Sequence, residues 1–105
     1  MYKIDVTDAA ERELEDQPAD IQEDFLYVSG LLQEHGSAKL GMPHVRHLQG
    51  KLWEMRFRGK SGIARAIYFT TGQTLVVVRI FTKKTRTTPR REIELALRRM
   101  SEWRP

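Results

Sequence analysis

Residues 75–81, with the sequence LVVVRIF, constrain the fold of this chain more than any other segment. They form an almost continuous run of β-branched and aromatic side chains, interrupted by a single arginine. Such a run predicts a central β-strand that is buried on both faces. A chain of 105 residues is long enough to build one modest core around it. We therefore expect one domain, residues 1–105.

Three other segments are predicted to be strands. Residues 2–6 alternate apolar and charged side chains and predict a short edge strand. Residues 52–58 alternate as well, which predicts one core face and one charged face. The core face consists of Trp53, Met55 and Phe57, and the charged face of Glu54, Arg56 and Arg58. Residues 63–70 follow a glycine-containing hairpin turn and predict a strand whose solvent-facing side the pattern leaves open.

Three helices complete the prediction. Thr7 or Asp8 caps a helix that runs to Asp16, and a second helix begins after Pro18 and ends at residues 35–36. Residues 37–49 are predicted to be a loop. Thr88 is predicted to cap the last helix, with Pro89 as its first residue. The order of one strand, two helices, three antiparallel strands and one helix predicts an α+β fold, with an antiparallel sheet packed on helices.

Composition narrows the class of protein. The chain contains no cysteine, which excludes disulfides and thiolate zinc sites. No apolar run approaches the length of a membrane span, and residues 1–20 show no secretory leader pattern. We expect a cytoplasmic protein without a cofactor, a bound metal or a membrane partner.

Charge is distributed unevenly along the chain. Residues 1–45 contain three basic and ten acidic side chains, for a net charge of −7. Residues 46–91 contain twelve basic side chains and one acidic side chain, for a net charge of +11. Such asymmetry indicates a polyanion or an acidic protein as the partner of the basic half. The alternative is that the acidic helices simply pack over the basic sheet.

Two stretches carry a resemblance to a known family: LWEMRFRGKSGIARAIYF and FTKKTRTTPRREIELALRRM. They resemble the HigB-like, phage-derived branch of the RelE/ParE toxin superfamily. Its members typically combine an L-W-E-L-R strand with F-x-K-K-T-x-x-T-P before a final helix. The resemblance covers residues 40–100, and the N-terminal helices fit by architecture alone. It implies a RelE-like fold with an N-terminal strand and αα-hairpin, an antiparallel sheet and a C-terminal helix.

The resemblance also implies a function. Such proteins are toxins of type II toxin-antitoxin systems. They are small endoribonucleases that cleave mRNA, usually in the ribosomal A site, without a metal. Their implied partners are mRNA, the ribosome and a cognate antitoxin. In the HigB pairs the antitoxin is typically a HigA-like, helix-turn-helix protein. The resemblance implies that the toxin contacts operator DNA only through this antitoxin.

RNA cleavage by the 2′-hydroxyl requires a base, an acid and positive charge near the phosphoryl oxygens. The residues predicted to act in catalysis are Arg56, Arg65, Lys83, Lys84 and Glu54. The residues predicted to bind RNA are Arg58, Lys60, Arg86, Arg90, Arg91, His44 and His47. Together they predict a groove with Arg65 and the charged face of residues 52–58 as its floor and the residues from Lys83 onward as one wall.

The residues offer more than one candidate for the proton carrier. Glu54 is either a general base or a structural clamp for Arg56 or Arg65, and carboxylates among arginines are usually ion-paired. His44 and His47 are the other candidates, because imidazole exchanges protons near neutral pH. Ribosome-dependent members of the superfamily carry lysines where this chain has Glu54 and Arg56. They also carry a tyrosine near the last helix, where this chain has arginines at positions 90 and 91.

Structural roles and other functions compete with this interpretation. Arg79 lies among valines and is expected to pair with a carboxylate of an N-terminal helix. Arg98 and Arg99 are expected on the solvated face of the last helix. A toxin of the same fold could instead inhibit a protein such as DNA gyrase, or the basic face could serve only to bind an acidic antitoxin or nucleic acid. The set of Arg56, Arg65 and Lys83-Lys84 favours the nuclease.

Overall fold

The computed structural model describes residues 1–105. The N-terminal part contains β1 (Lys3–Val6), α1 (Asp8–Glu15), α2 (Ala19–His35) and the short α3 (Ser37–Leu40). The remainder contains β2 (Val45–Gln49), β3 (Leu52–Gly59), β4 (Gly62–Thr71), β5 (Thr74–Thr82) and α4 (Arg90–Glu102). None of these helices is both long and apolar enough to cross a membrane.

All five strands form one sheet in the order β1-β5-β4-β3-β2. β1 runs parallel to β5, and the other neighbours are antiparallel. The α+β class, the interior position of the strand at 75–81 and the edge position of the first strand are therefore confirmed. The prediction of a loop over residues 37–49 was wrong, because α3 and β2 lie within it. Gly50, with φ of 52°, turns the chain so that β2 pairs with β3.

Helices cover both faces of the sheet. On one face, α1 and α2 pack Ala10, Ile21, Phe25, Val28 and Leu32 onto the strands. Met55 and Phe57 belong to this core as predicted, and Trp53 packs at its margin. On the other face, α4 packs onto a smaller cluster formed by Leu52, Ile67, Phe69, Val76, Val78 and Phe81. Each helix therefore presents one apolar stripe to the sheet.

A β-bulge in β5 decides which of its side chains face which core. Ile67 pairs with Arg79 and Tyr68 pairs with Val77, so that Val78 has no partner on β4. An extra residue of this kind reverses the alternation of faces. As a result Val77 and Ile80, three residues apart, both face α1 and α2.

Arg79 joins the two helical layers through the edge of the sheet. Its guanidinium donates to Glu13 of α1 at 2.6 Å and to Glu92 of α4 at 2.7 Å. The expected pairing of Arg79 with a carboxylate of an N-terminal helix is therefore confirmed. The hydrogen bonds that Arg79 donates to Glu92 raise the pKa of Arg79 against the opposing effect of its burial. A cation in this strand is stable only because both carboxylates surround it.

Glu13 also satisfies the open edge of β5. β1 ends opposite Val77, which leaves the outer edge of β5 without a strand partner beyond that point. The amide of Ile80 donates to Glu13 at 3.1 Å, and Arg99 donates to the carbonyl of Val78 at 2.8 Å and to Glu13 at 3.0 Å. The prediction that Arg99 lies on a solvated face was therefore wrong. Arg98 is exposed, as predicted.

These contacts predict an acid-sensitive contribution of Glu13 to stability. Burial acts to raise the pKa of Glu13, but the hydrogen bonds from Arg99, Ile80 and Arg79 outweigh it and lower the pKa below 4.5. The stabilisation is therefore present above the unfolded-state pKa and is lost as the pH falls through the folded-state pKa. At neutral pH, Glu13→Gln is expected to lower the free energy of unfolding by about 1–3 kcal/mol.

Denaturant unfolding at pH 7 and at about pH 3 measures this difference. The matched control is Glu11→Gln, an exposed acid on the same helix without an ion pair. The difference between wild type and Glu13→Gln should shrink in acid. A difference that stays constant or grows in acid would contradict this role of the carboxylate.

Candidate functional site

The register of the central strands aligns the basic side chains. Arg56 lies opposite Arg65, which lies opposite Phe81 on β5. One row further, Arg58 lies opposite Ile63, whose carbonyl accepts a hydrogen bond from the amide of Lys83 at 2.9 Å. Since neighbouring strands are about 4.8 Å apart, the backbones at Arg58 and Lys83 are separated by roughly 10 Å.

A buried ion pair lies beneath these rows. Arg65 is 0% exposed and Glu54 is 2% exposed. Nε of Arg65 lies 3.6 Å from Oε1 of Glu54, and Nε of Arg46 lies 3.1 Å from the same oxygen. The clamp predicted for Glu54 therefore holds Arg65 and Arg46, and not Arg56. Solvent scarcely reaches this carboxylate, which leaves it badly placed to act as a general base on RNA.

Arg65 ties the loop after β5 to the sheet. Its terminal nitrogens donate to the carbonyl of Arg86 at 2.7 Å, to the carbonyl of Thr85 at 3.4 Å and to the hydroxyl of Thr88 at 3.1 Å. Arg65, predicted as part of the groove floor, is thus buried, and its donors bind this loop. The carbonyls of the 85–88 loop take the place that a phosphate was expected to occupy.

The environment of Arg65 also shifts its pKa. Burial lowers the pKa of Arg65, the charge of Glu54 raises it, and Arg46 and Arg56 lower it further. A guanidinium nevertheless stays charged at physiological pH. Arg65 is therefore a permanent buried cation, and the groups around it must compensate that charge.

Thr88 completes this cluster instead of capping α4. Its hydroxyl donates to Glu54 and accepts from Arg65. The N-cap of α4 is Pro89, and no side chain caps that end of the helix. The prediction of Thr88 as the N-cap and Pro89 as the first helical residue was wrong, because α4 begins at Arg90 and the hydroxyl of Thr88 binds Glu54 and Arg65. By contrast, Thr7 caps α1 as predicted, accepting from the amide of Ala10 at 3.2 Å.

An open pocket of about 310 Å³ lies beside the end of β3. It is lined by His44, Arg56, Arg58, Asp24 and Pro43. The amide of Arg56 donates to the carbonyl of His44 at 2.8 Å, and the amide of Arg58 donates to Asp24 at 2.7 Å. These contacts hold an imidazole and two guanidinium groups around one opening. The predicted residues His44, Arg56 and Arg58 are therefore brought together.

A second, smaller cavity of about 80 Å³ lies between the end of β5 and the start of α4. Lys83, Lys84 and Arg91 line it, and Arg65 closes its inner end. We use the term basic surface for the solvent-accessible cations around the two openings. It consists of Arg56, Arg58, Lys83, Lys84, Arg86 and Arg91.

Three predicted residues lie apart from these openings. His47 is exposed, and its ring packs edge-on against Trp53 with a centroid separation of 5.4 Å. The alternation of β2 places His47 on the opposite sheet face from Arg46. Lys60 lies in the turn between β3 and β4, and Arg90 pairs with Glu94 at 3.5 Å on the exposed surface of α4. The structure therefore does not bring His47 to the other predicted residues.

Arg46 is the site residue that the sequence reasoning missed. It lies on β2 opposite Glu54, and its charge helps to neutralise that carboxylate. The available signal was the Gln49-Gly50-Lys51 turn, since a glycine turn before an alternating strand favours a hairpin. No group of three or more His, Cys, Asp or Glu side chains is arranged to hold a metal ion.

The hydroxyl of Thr88 provides a test of the cluster. Thr88→Val removes a partner from both Glu54 and Arg65, and is expected to lower the free energy of unfolding by about 1–3 kcal/mol. Denaturant unfolding measures the change, and Thr87→Val is the matched control because the side chain of Thr87 is exposed and makes no such contact. Equal stabilities of the two variants would contradict the proposed role of the hydroxyl.

Comparison with solved structures identifies the fold. The chain of the intact E. coli RelBE toxin-antitoxin complex aligns with a TM-score of 0.62 at 14% identity, covering 81% of this chain and 100% of that one. The isolated E. coli RelE toxin aligns with a TM-score of 0.61 at 12% identity, covering 95% and 99%. A chain of the RelE-RelB complex from Pyrococcus horikoshii OT3 aligns with a TM-score of 0.60 at 20% identity, covering 82% and 98%. The protein therefore has the RelE fold.

Comparison of sequences identifies the family. No curated protein matches the chain. Residues 12–101 match the family described as "Phage derived protein Gp49-like (DUF891)". That match includes the second half of α1, all of α2 and α3, every strand but β1, and nearly all of α4. The chain therefore belongs to the phage-derived Gp49-like family.

Proposed function

We propose that this chain is the toxin of a type II toxin-antitoxin system, of the HigB-like branch, and that residues 1–105 form its single domain. In this proposal the toxin is a cytoplasmic endoribonuclease that cleaves mRNA on the ribosome without a metal ion. The RelE fold and membership of the Gp49-like family support the toxin role. The nuclease role is argued from the basic surface.

The observation that carries the nuclease proposal is the separation of cations from carboxylates. Residues 46–91 contain a single carboxylate, Glu54, and it is buried in contact with Arg46 and Arg65. The cations of the basic surface therefore meet no exposed carboxylate from this part of the chain. The one carboxylate that lines the open pocket, Asp24 of α2, accepts from the backbone amide of Arg58 and pairs with neither guanidinium. Arg91 adds positive charge in the first turn of α4, where the helix dipole already disfavours a cation. A phosphate backbone offers the compensating charge.

In this proposal, cations on both sides of the site stabilise the developing charge. Arg56 and Arg58 project from one strand around the open pocket, and their planar forks suit the non-bridging oxygens of the scissile phosphate. Lys83 and Lys84 lie two strands away and meet the phosphate chain on the far side of that group. Negative charge that develops on the phosphoryl oxygens during attack by the 2′-hydroxyl is stabilised by this fixed arrangement.

His44 is the proton carrier in this proposal. It lines the same pocket as Arg56 and Arg58, and a neutral imidazole there accepts the proton of the 2′-hydroxyl as that oxygen bonds to phosphorus. The bond between phosphorus and the 5′-oxygen breaks, and the leaving 5′-oxygen takes a proton from solvent water. Glu54 is not assigned to this step, because it is buried and ion-paired. Arg65 acts as a positioning residue that holds the loop bearing Lys83, Lys84 and Arg86.

The related complexes support an antitoxin as a partner. Two of the aligned structures are described as complexes of RelE toxins with RelB antitoxins. We propose a cognate antitoxin of the HigA-like, helix-turn-helix type for this chain, with contact to operator DNA only through that antitoxin. The other proposed partners are mRNA and the ribosome.

Arg56→Ala tests the charge-stabilising role. The substitution removes a partly exposed cation from the open pocket, and is expected to reduce cleavage by about 10²–10³-fold while leaving the fold intact. The measurement is a map of mRNA 5′ ends in bacteria after brief induction. Arg98→Ala, which removes an exposed cation outside both openings, should cleave like the wild type.

The wild-type map separates the alternatives. New ends in phase with codons support cleavage on the ribosome, and new ends without a phase indicate cleavage of free RNA. Growth arrest without new ends would contradict the nuclease and would favour inhibition of a protein target such as DNA gyrase. Full cleavage by Arg56→Ala would remove that residue from the site.

His44, in the loop before β2, and His47, within β2, provide a matched pair of variants for testing the proton step. His44→Gln is expected to slow cleavage by about 10²–10⁴-fold and to remove the imidazole-dependent limb of the pH-rate profile. His47→Gln should leave the rate unchanged, because His47 packs on the other sheet face. The measurement uses purified variants and programmed ribosomes across neutral pH. An unchanged pH profile in His44→Gln would assign the proton to another group.

A further inference from the structure

The outward face of α2 exposes large apolar side chains to solvent. The opposite side of the helix is buried in the core through Ile21, Phe25, Val28 and Leu32. Helical periodicity then directs Leu26, Tyr27 and Gly30 away from the sheet. Leu26 is 69% exposed and Tyr27 is 61% exposed. Two large apolar side chains therefore flank a glycine on the surface of a well-packed helix.

The fold of the free chain gives no reason for the glycine. Gly30 lies in the middle of α2 with ordinary helical backbone, and nothing lies within 4 Å of the position that a Cβ would occupy. Glycine in a helix interior is less favourable than alanine. By comparison, Gly59 is required by the fold, since a Cβ there would lie 2.3 Å from Oδ2 of Asp20. Gly30 therefore leaves an open position beside the exposed side chains of Leu26 and Tyr27, which we call the notch.

Acidic side chains surround this notch. Glu23 and Glu34 lie on the same outward face, seven residues before and four residues after Gly30. Neither pairs with a basic side chain other than a 4.0 Å contact between Glu34 and His35, its neighbour in the chain. The exposed acids of α1, among them Glu11 and Glu15, add to the negative charge of this layer. A complementary partner must therefore be basic around an apolar centre.

We propose that the outward face of α2 is a docking surface for an amphipathic helix of a partner protein, with an apolar stripe flanked by lysine or arginine. The stripe seats over Gly30 between Leu26 and Tyr27, where the absence of a side chain permits close approach. The flanking cations pair with Glu23 and Glu34. This surface is the outward side of the α1–α2 layer, and the proposal does not depend on the proposed RNA cleavage.

The test uses two synthetic helical peptides of about 20 residues that share one leucine stripe. In one peptide lysines flank the stripe, and in the other glutamates replace them. Binding to the ¹⁵N-labelled full chain is followed by chemical-shift changes. The lysine peptide is expected to bind with a dissociation constant of roughly 100 μM or lower, with shifts concentrated on residues 23–34, and the glutamate peptide at least about tenfold more weakly. The net charge of +4 opposes this preference, so that general attraction cannot produce it.

Two variants of Gly30 serve as matched tests. Gly30→Ala should raise the thermal midpoint of the free chain, because the fold does not use the glycine. Gly30→Trp should fold normally and weaken the lysine peptide at least about tenfold by filling the notch. A lower midpoint of Gly30→Ala would remove the premise.

Other results would overturn the proposal. These are equal binding of the two peptides, no binding of the lysine peptide, or shifts located on the strands. Self-association of the wild type that Gly30→Trp abolishes would assign the surface to a second copy of this chain instead. RNA cleavage is not a readout of this experiment, so its failure and a failure of the nuclease proposal are distinguishable.

Discussion

The buried pair of Glu54 and Arg65 is the interaction on which the arrangement of this site depends. Two charges removed from water are tolerated only when their remaining donors and acceptors are satisfied. Arg46 and Thr88 satisfy the carboxylate, while Thr88 and the carbonyls of residues 85 and 86 satisfy most of the guanidinium. The loop after β5 contains two lysines, one arginine, three threonines and a proline and no large apolar side chain, so that hydrophobic burial cannot hold it. Polar contacts to a buried cation hold it instead, and they set where Lys83, Lys84 and Arg86 emerge.

The basic surface is open because α4 covers only part of its face of the sheet. α4 packs on the apolar part of that face, which Val76, Val78 and Phe81 of β5 extend. Arg56 and Arg58 of β3 lie outside this apolar cluster, beside an open pocket. The β-bulge at Val78 contributes to this division by changing the facing of Arg79, which then joins α4 to α1 through Glu92 and Glu13. The acidic side chains of the first helices are thus partly structural, while their exposed members give α2 its negative charge.

Most of the fold could be predicted from the sequence, but the candidate site could be predicted only in part. The β-branched run of β5 and the alternation of β3 are strong local signals, and the corresponding strands lie where they were expected. β2 was missed because VRHLQ combines only two aliphatic residues with three polar ones, too few to show a clear period. Arg56, Arg58 and His44 share an opening as predicted by their positions near β3, whereas His47 lies on the other face. Arg46 was missed together with its strand.

The sequence by itself determined the class of fold, the order of its main elements and the segregation of charge, because periodicity and composition are local properties that any folded form of the chain must satisfy. Only the tertiary structure decided which cations are exposed. Period-2 alternation places Arg56 and Arg65 in line on adjacent strands, but it does not reveal that the 85–88 loop covers one and leaves the other accessible. That difference arises from contacts between residues more than twenty positions apart in the chain, such as Thr88 with Glu54. Long-range contacts of this kind turned a predicted phosphate ligand into a buried support.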